Sequence, residues 1–90
     1  MDIFITEHAR KRLKERTKFS LNRLNAIVKK IYYTGKTIED FSDNKEKQQY
    51  LKNVFINSKG DNLRVFGNDI YIYGNFSLIT VFPFPKTLKK

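Results

Sequence analysis

The strongest constraint on the fold of this chain is a change in the spacing of its apolar residues after Gly60-Asp61. From there on, apolar and polar residues alternate in three short runs, which are separated by Gly67-Asn68-Asp69 and by Gly74-Asn75. Alternation is typical of strands with one buried face, and Gly, Asn and Asp are the residues that tight hairpin turns require. The final part of the chain therefore predicts a three-stranded antiparallel meander.

The preceding segment has the spacing of helices. Thr6 is a suitable N-cap for a first helix at residues 7 to 16, a stretch without Gly or Pro. Ser20 is the expected N-cap of a second helix, predicted at residues 21 to about 33, whose apolar side chains fall on one side. Gly35 predicts that this helix ends in the left-handed conformation.

Residues 42 to 57 are compatible with two structures. They form either a third helix capped by Ser42 or a helix that passes into a strand at residues 53 to 57. Helices followed by strands indicate the α+β class. We therefore expect a single domain at residues 1 to 90, in which two N-terminal helices pack on a C-terminal antiparallel sheet of three to four strands. A third short helix, around residues 43 to 55, is one option.

The chain is strongly basic, since it has 18 Lys and Arg residues but nine Asp and Glu residues, for a net charge of +9. Residues 1 to 37 hold ten of the basic and three of the acidic residues. Such a protein is attracted to nucleic acid, to anionic membranes or to acidic proteins, because neutralised phosphates release their counterions.

Cysteine is absent and there is one histidine, which excludes disulfides and the usual zinc ligand sets. We expect no metal and no cofactor. No stretch approaches the roughly 18 apolar residues of a spanning helix, and the first residues carry no apolar leader. The expected location is the cytoplasm, without a membrane partner.

One candidate site lies on the first predicted helix, where His8, Arg12 and Arg16 recur every four residues and Lys11 lies beside them. Imidazole titrates near neutral pH and can take the proton of an RNA 2′-hydroxyl, while guanidinium groups stabilise the charge that develops on the phosphate. The alternative is a solvated helix face with a histidine exposed to water.

Further candidates lie in the meander. Arg64 in its first strand and Thr80 in its last can share a sheet face and bind phosphate, although both residue types are also ordinary in strands. Tyr71 and Tyr73 lie on one side of the middle strand, where their rings can either stack on bases or fill the core.

These residues make the chain resemble the small bacterial toxin-type RNases of the barnase, EndoU, colicin and RelE superfamily. The resemblance is especially to bacterial members of this RelE-like superfamily that open with Ile-Thr-x-His-Ala-x-x-Arg, which is residues 5 to 12 here. Residues 63 to 66, 70 to 73 and 78 to 83 carry the rest of it.

The resemblance implies two N-terminal helices followed by a four-stranded antiparallel sheet, and metal-independent cleavage of RNA. It also implies a dedicated inhibitor, as in a toxin–antitoxin pair. It assigns catalysis to His8, Arg12, Arg64 and Thr80 and supporting RNA contacts to Lys11 and Arg16.

Two functions follow as hypotheses. The first is an endoribonuclease that uses those four residues, with Tyr71 and Tyr73 as further RNA contacts. The second is a non-catalytic basic accessory protein, of phage or plasmid type, which binds nucleic acid or an acidic protein through the first helix.

Overall fold

A computed structural model describes residues 3 to 17 and 20 to 85. The α+β class is confirmed there, with the α-helices N-terminal to a meander. In chain order the elements are β1 (Phe4–Ile5), α1 (Glu7–Arg16), a first 3₁₀ helix (Leu21–Arg23), α2 (Leu24–Thr34), a second 3₁₀ helix (Ile38–Phe41), α3 (Lys45–Asn57), β2 (Asn62–Phe66), β3 (Asp69–Gly74) and β4 (Ser77–Pro83).

The four strands form one sheet in the order β1-β4-β3-β2. Strands β2, β3 and β4 are the predicted antiparallel meander. Strand β1 was not predicted; it pairs parallel to β4 through Phe4 with Ser77 and Ile5 with Leu78, which makes the sheet mixed. Two residues are too few to produce a recognisable alternation in a sequence.

Helices cover both faces of the sheet. On one face α1 and α2 bury a core that includes Leu13, Val28 and Tyr73. On the other face α3 packs through Leu51 against Ile72 and the apolar residues of β2. In the predicted arrangement with two helices, this second face of the sheet had no helix packed on it. In the structure α3 covers it. In the described part of the chain, no helix combines the length and the apolar character that crossing a bilayer requires.

A β-bulge interrupts the pairing of β3 with β4. Tyr73 pairs with Leu78, but Ile72 pairs with Thr80, so Ile79 is an extra residue on β4. Leu78 therefore lies in the core under α1 and α2, whereas Thr80 lies beside Ile72 on the α3 face. The uninterrupted alternation expected along β4 is wrong from the bulge onward.

The helix starts were predicted in part. Thr6 caps α1 as expected, and its Oγ1 accepts a hydrogen bond from the Ala9 N–H at 3.1 Å. Ser42 does not cap α3; Asn44 does, accepting from the Lys47 N–H at 3.1 Å. The whole of residues 53 to 57 is helical, so the alternative with a strand there is wrong.

The ends of α2 differ from the prediction. Ser20 does not cap it, because a 3₁₀ turn intervenes before α2 begins at Leu24. Gly35 follows α2 with φ −65°, which is not left-handed. Glycine is needed there for space instead, since a Cβ would lie 2.7 Å from the Ile31 carbonyl oxygen and 3.0 Å from the Arg64 Cβ.

Candidate active site

The position of α1 is set by Thr6. Its backbone N–H and its Oγ1 both donate to the Leu78 carbonyl oxygen, at 3.2 and 2.9 Å, while the same Oγ1 caps the helix through Ala9. Strand β1 ends at Ile5, and beyond that point α1 packs along the edge of β4 that β1 leaves unpaired. The first turn of α1 is thereby anchored at the bulge.

His8 and Thr80 meet at this edge. The His8 Nε2 lies 3.2 Å from the Thr80 Oγ1, although 72 residues separate them in the chain. His8 is exposed and Thr80 is half-buried, so solvent reaches the pair. When Nε2 is unprotonated the hydroxyl donates to it, and when the ring is an imidazolium the hydroxyl accepts. Two of the four predicted catalytic side chains are therefore in contact.

The basic residues of α1 extend away from this pair along β4. Arg12 is one turn after His8; its side chain is 39% exposed, and its Nη1 lies 4.0 Å from the Glu15 carboxylate. The buried Arg12 Nε has no hydrogen-bond partner in the described part of the chain. Arg16 lies against Asp69, with Nη2 3.4 Å from Oδ1. Arg12 thus lies one helical turn from His8 on the same side of α1, and Arg16 is partly neutralised.

Lys11 is exposed on α1, as an RNA contact must be.

Arg64 does not join His8 and Thr80. It pairs with Tyr71 in the sheet, which places its side chain on the α2 face, opposite to Thr80. Its Nε donates to the Tyr32 carbonyl oxygen at 2.9 Å and its Nη1 to the Asn62 Oδ1 at 2.7 Å. The expectation that Arg64 and Thr80 share a face is therefore wrong. The cause is the bulge, because without it Thr80 would point toward the Arg64 side.

The prediction that Tyr71 and Tyr73 stack on bases is also wrong. They are 1% and 0% exposed and belong to the core under α1 and α2. The Tyr73 hydroxyl donates to the Val28 carbonyl oxygen at 2.9 Å. Desolvation by burial raises the pKa of Tyr71 to about 12 and raises the pKa of Tyr73 further, so neither phenol exchanges protons near neutral pH.

A groove of about 540 Å³ lies beside Thr80, between α3 and β4. One wall holds Thr80 and Phe82; the other holds Asn53 and Asn57, whose amides lie one turn apart on α3. Sequence reasoning missed these amides. Their spacing was visible, but nothing in the sequence placed α3 opposite β4.

In residues 3 to 17 and 20 to 85, no group of three or more His, Cys, Asp or Glu side chains is arranged to hold a metal ion. Comparison with known proteins identified no matching family model, curated protein or solved structure. The chemical properties of the site therefore follow from its own side chains.

The side chains at this edge provide one imidazole, one hydroxyl in contact with it and one partly exposed guanidinium on the same helix face. An imidazole can move the proton of a substrate hydroxyl, and a guanidinium can bind two oxygens of a phosphate. The groove beside Thr80 offers amide donors and acceptors to the rest of a substrate.

Proposed function

We propose that this protein is an endoribonuclease of toxin type that cleaves RNA through attack of a 2′-hydroxyl on the adjacent phosphate. The observation that carries the proposal is the contact between His8 Nε2 and Thr80 Oγ1 at 3.2 Å, on a solvent-exposed edge. A contact between residues so far apart in the sequence requires the fold, and both residues match the resemblance to the RelE-like RNases.

In the proposed reaction His8 accepts the proton of the 2′-hydroxyl as the 2′-oxygen attacks phosphorus. The bond from phosphorus to the 5′-oxygen then breaks, and that oxygen takes a proton from the imidazolium or from water. The products are a 2′,3′-cyclic phosphate and a 5′-hydroxyl. Arg12 stabilises the charge on the non-bridging oxygens, and Thr80 orients the imidazole. Arg64 has no role in this scheme, since it lies on the opposite face.

Purified protein incubated with total RNA, with and without EDTA, tests the proposal. We expect fragments that end in 2′,3′-cyclic phosphate, and no cleavage of an oligonucleotide with 2′-deoxyribose at every position. His8→Ala lowers the rate by about 10²- to 10⁴-fold, the usual contribution of a general acid or base. Lys14→Ala is the matched control, because Lys14 is exposed on the same helix and away from the His8 face.

RNA that stays intact at high concentration of folded protein would refute the proposal. Equal activity of His8→Ala and the unsubstituted protein would refute the assigned mechanism.

A second candidate is binding of nucleic acid without cleavage. The engagement of Arg64 with Tyr32 and Asn62 favours it, because Arg12 is then left as the one catalytic guanidinium of the two that were predicted. The basic side chains of α1 are sufficient for such binding. It predicts salt-dependent binding of RNA that Arg12→Ala weakens and His8→Ala leaves unchanged, with no fragments at any concentration.

A further inference from the structure

A second cavity, of about 510 Å³, lies away from the His8–Thr80 contact and has two lysines in its lining. We call it the lysine cavity. Its walls are the end of α2, the second 3₁₀ helix, the start of α3 and the turn between β2 and β3. It is lined by Thr34, Gly35, Lys36, Phe41, Lys47, Val65, Phe66, Gly67, Asn68 and Phe84.

Two ammonium groups converge on one aromatic ring in this cavity. The Nζ atoms of Lys36 and Lys47 each lie 5.9 Å from the centroid of Phe41, so they are at most about 12 Å apart. Lys47 Nζ is also 5.7 Å from the centroid of Phe84. Cations are attracted to the faces of aromatic rings, which explains how the fold holds both ammonium groups beside Phe41.

Within residues 3 to 17 and 20 to 85, no carboxylate neutralises the pair. Among the described residues neither Lys36 nor Lys47 forms an ion pair. The nearby carboxylate of Asp40 is used otherwise, since it accepts the backbone N–H of Thr37 at 2.8 Å and completes the cap of the second 3₁₀ helix. Two like charges held beside one cavity without a counter-charge favour an anionic ligand.

The floor of the cavity is apolar. Phe41, Val65 and Phe84 form it, and Phe84 and Val65 are buried at 5% exposure each. A phosphate alone would use the ammonium groups and leave this floor in contact with water. A nucleotide combines an anion with a flat ring, and the volume lies in the range of small-molecule sites.

One side of the cavity lies near the C-terminal end of α1. Asn68 forms part of its rim, and the next residue, Asp69, is the ion-pair partner of Arg16 at the end of α1. The turn that borders the lysine cavity is therefore adjacent in the chain to the residue that pairs with the end of α1.

We propose that the lysine cavity binds one nucleotide of a single-stranded RNA, with a phosphate between Lys36 and Lys47 and the base against the ring of Phe41. The choice of RNA as the source of the nucleotide rests on the proposed function, whereas the site itself rests on the two lysines and the aromatic floor. Base stacking on an aromatic side chain tolerates every base, so the site selects single strands and not a sequence.

Calorimetric titration with uridine 5′-monophosphate, ribose 5-phosphate and inorganic phosphate tests the site. We expect uridine monophosphate to bind most tightly. Lys36→Gln and Lys47→Gln each weaken its binding about tenfold, as the loss of a charge-assisted hydrogen bond does. Lys52→Gln, on an exposed position of α3 outside the cavity, leaves binding unchanged. An equal loss in all three variants would overturn the inference.

Phe41→Leu tests the base contact. It lowers the affinity for uridine monophosphate about tenfold toward that for ribose 5-phosphate, whereas Phe55→Leu, a half-buried ring of the same core outside the cavity, does not. Thermal melting of both variants verifies that they are folded. If the nucleotide binds no better than inorganic phosphate to the unsubstituted protein, the site does not recognise a base and the inference fails.

The failure of this inference is distinguishable from that of the proposed function. His8→Ala, which removes cleavage, leaves uridine monophosphate binding unchanged. Nucleotide binding without any RNA cleavage would refute the proposed function alone. RNA cleavage together with nucleotide binding that both lysine substitutions leave intact would refute the lysine cavity alone.

Discussion

Thr80→Val removes one hydroxyl and retains the branched shape of the side chain, so it isolates the contact with His8. In the described part of the chain the imidazole has no other hydrogen-bond partner than the Thr80 Oγ1 at 3.2 Å. One neutral hydrogen bond contributes roughly 0.5 to 1.5 kcal/mol, which corresponds to a loss of about two- to thirteenfold in the rate of RNA cleavage. Since Thr80 is half-buried on a strand where valine is favoured, the cost in unfolding free energy stays below about 1 kcal/mol.

Single-turnover cleavage of a short end-labelled RNA measures the effect, with thermal melting of each variant in parallel. Thr80→Ser keeps the hydroxyl and retains most of the rate, and His8→Ala loses far more than Thr80→Val. Cleavage by Thr80→Val at the unsubstituted rate, with His8→Ala inactive, would refute the argument that this hydroxyl orients the imidazole.

Three predictions concern the fold. Tyr73→Phe deletes the hydroxyl that donates to the Val28 carbonyl oxygen, so it lowers the unfolding free energy by about 1 kcal/mol, or the Tm by about 4 to 8 °C. Tyr33→Phe, on a ring 57% exposed, is the control and leaves both quantities unchanged. Equal Tm values for the two variants would contradict this prediction. Gly60→Ala places a Cβ 2.5 Å from the Tyr73 carbonyl oxygen, so we expect the unfolding free energy measured with denaturant to fall by roughly 1 to 3 kcal/mol. An unchanged unfolding midpoint would show that the backbone at residue 60 moves away from Tyr73 without cost. Burial raises the pKa of Tyr71 from 10.0 to about 12, so the folded state favours the neutral phenol. The unfolding free energy is therefore unaffected by this group below pH 10 and falls by about 3 kcal/mol as the pH rises from 10 to 12. Phenolate absorbance that appears only with unfolding supports this, and Tyr71→Phe flattens the pH dependence.

Local signals predicted the elements with strong periodicity. The cap at Thr6, the helix that follows it and the three meander strands all depend on neighbours within a few residues, which a sequence displays directly. The prediction failed where geometry depends on distant atoms. Gly35 is not left-handed, and its lack of a side chain matters because Ile31 and Arg64 approach it closely.

The candidate site divides in the same way. His8 and Arg12 could be found from their spacing on one helix, since a helix places residues four apart on one face. The distance from His8 to Thr80 could not, because it depends on how α1 lies along β4. Thr80 was assigned to the wrong face, because one extra residue in β4 reverses the direction of every side chain after it.

The basic charge that any partner must match was determined by the sequence alone, since composition does not depend on folding. The α+β class and the position of the one histidine on a basic helix followed from residues close together in the chain. Tertiary structure alone decided which of those residues meet. It brought Thr80 to His8 through a bulge, buried Tyr71 and Tyr73 beneath α2, and set both Lys36 and Lys47 at a single aromatic ring. Each of these outcomes depends on contacts between segments far apart in the chain. The periodicity of apolar residues indicates local structure and does not indicate which distant segments come into contact.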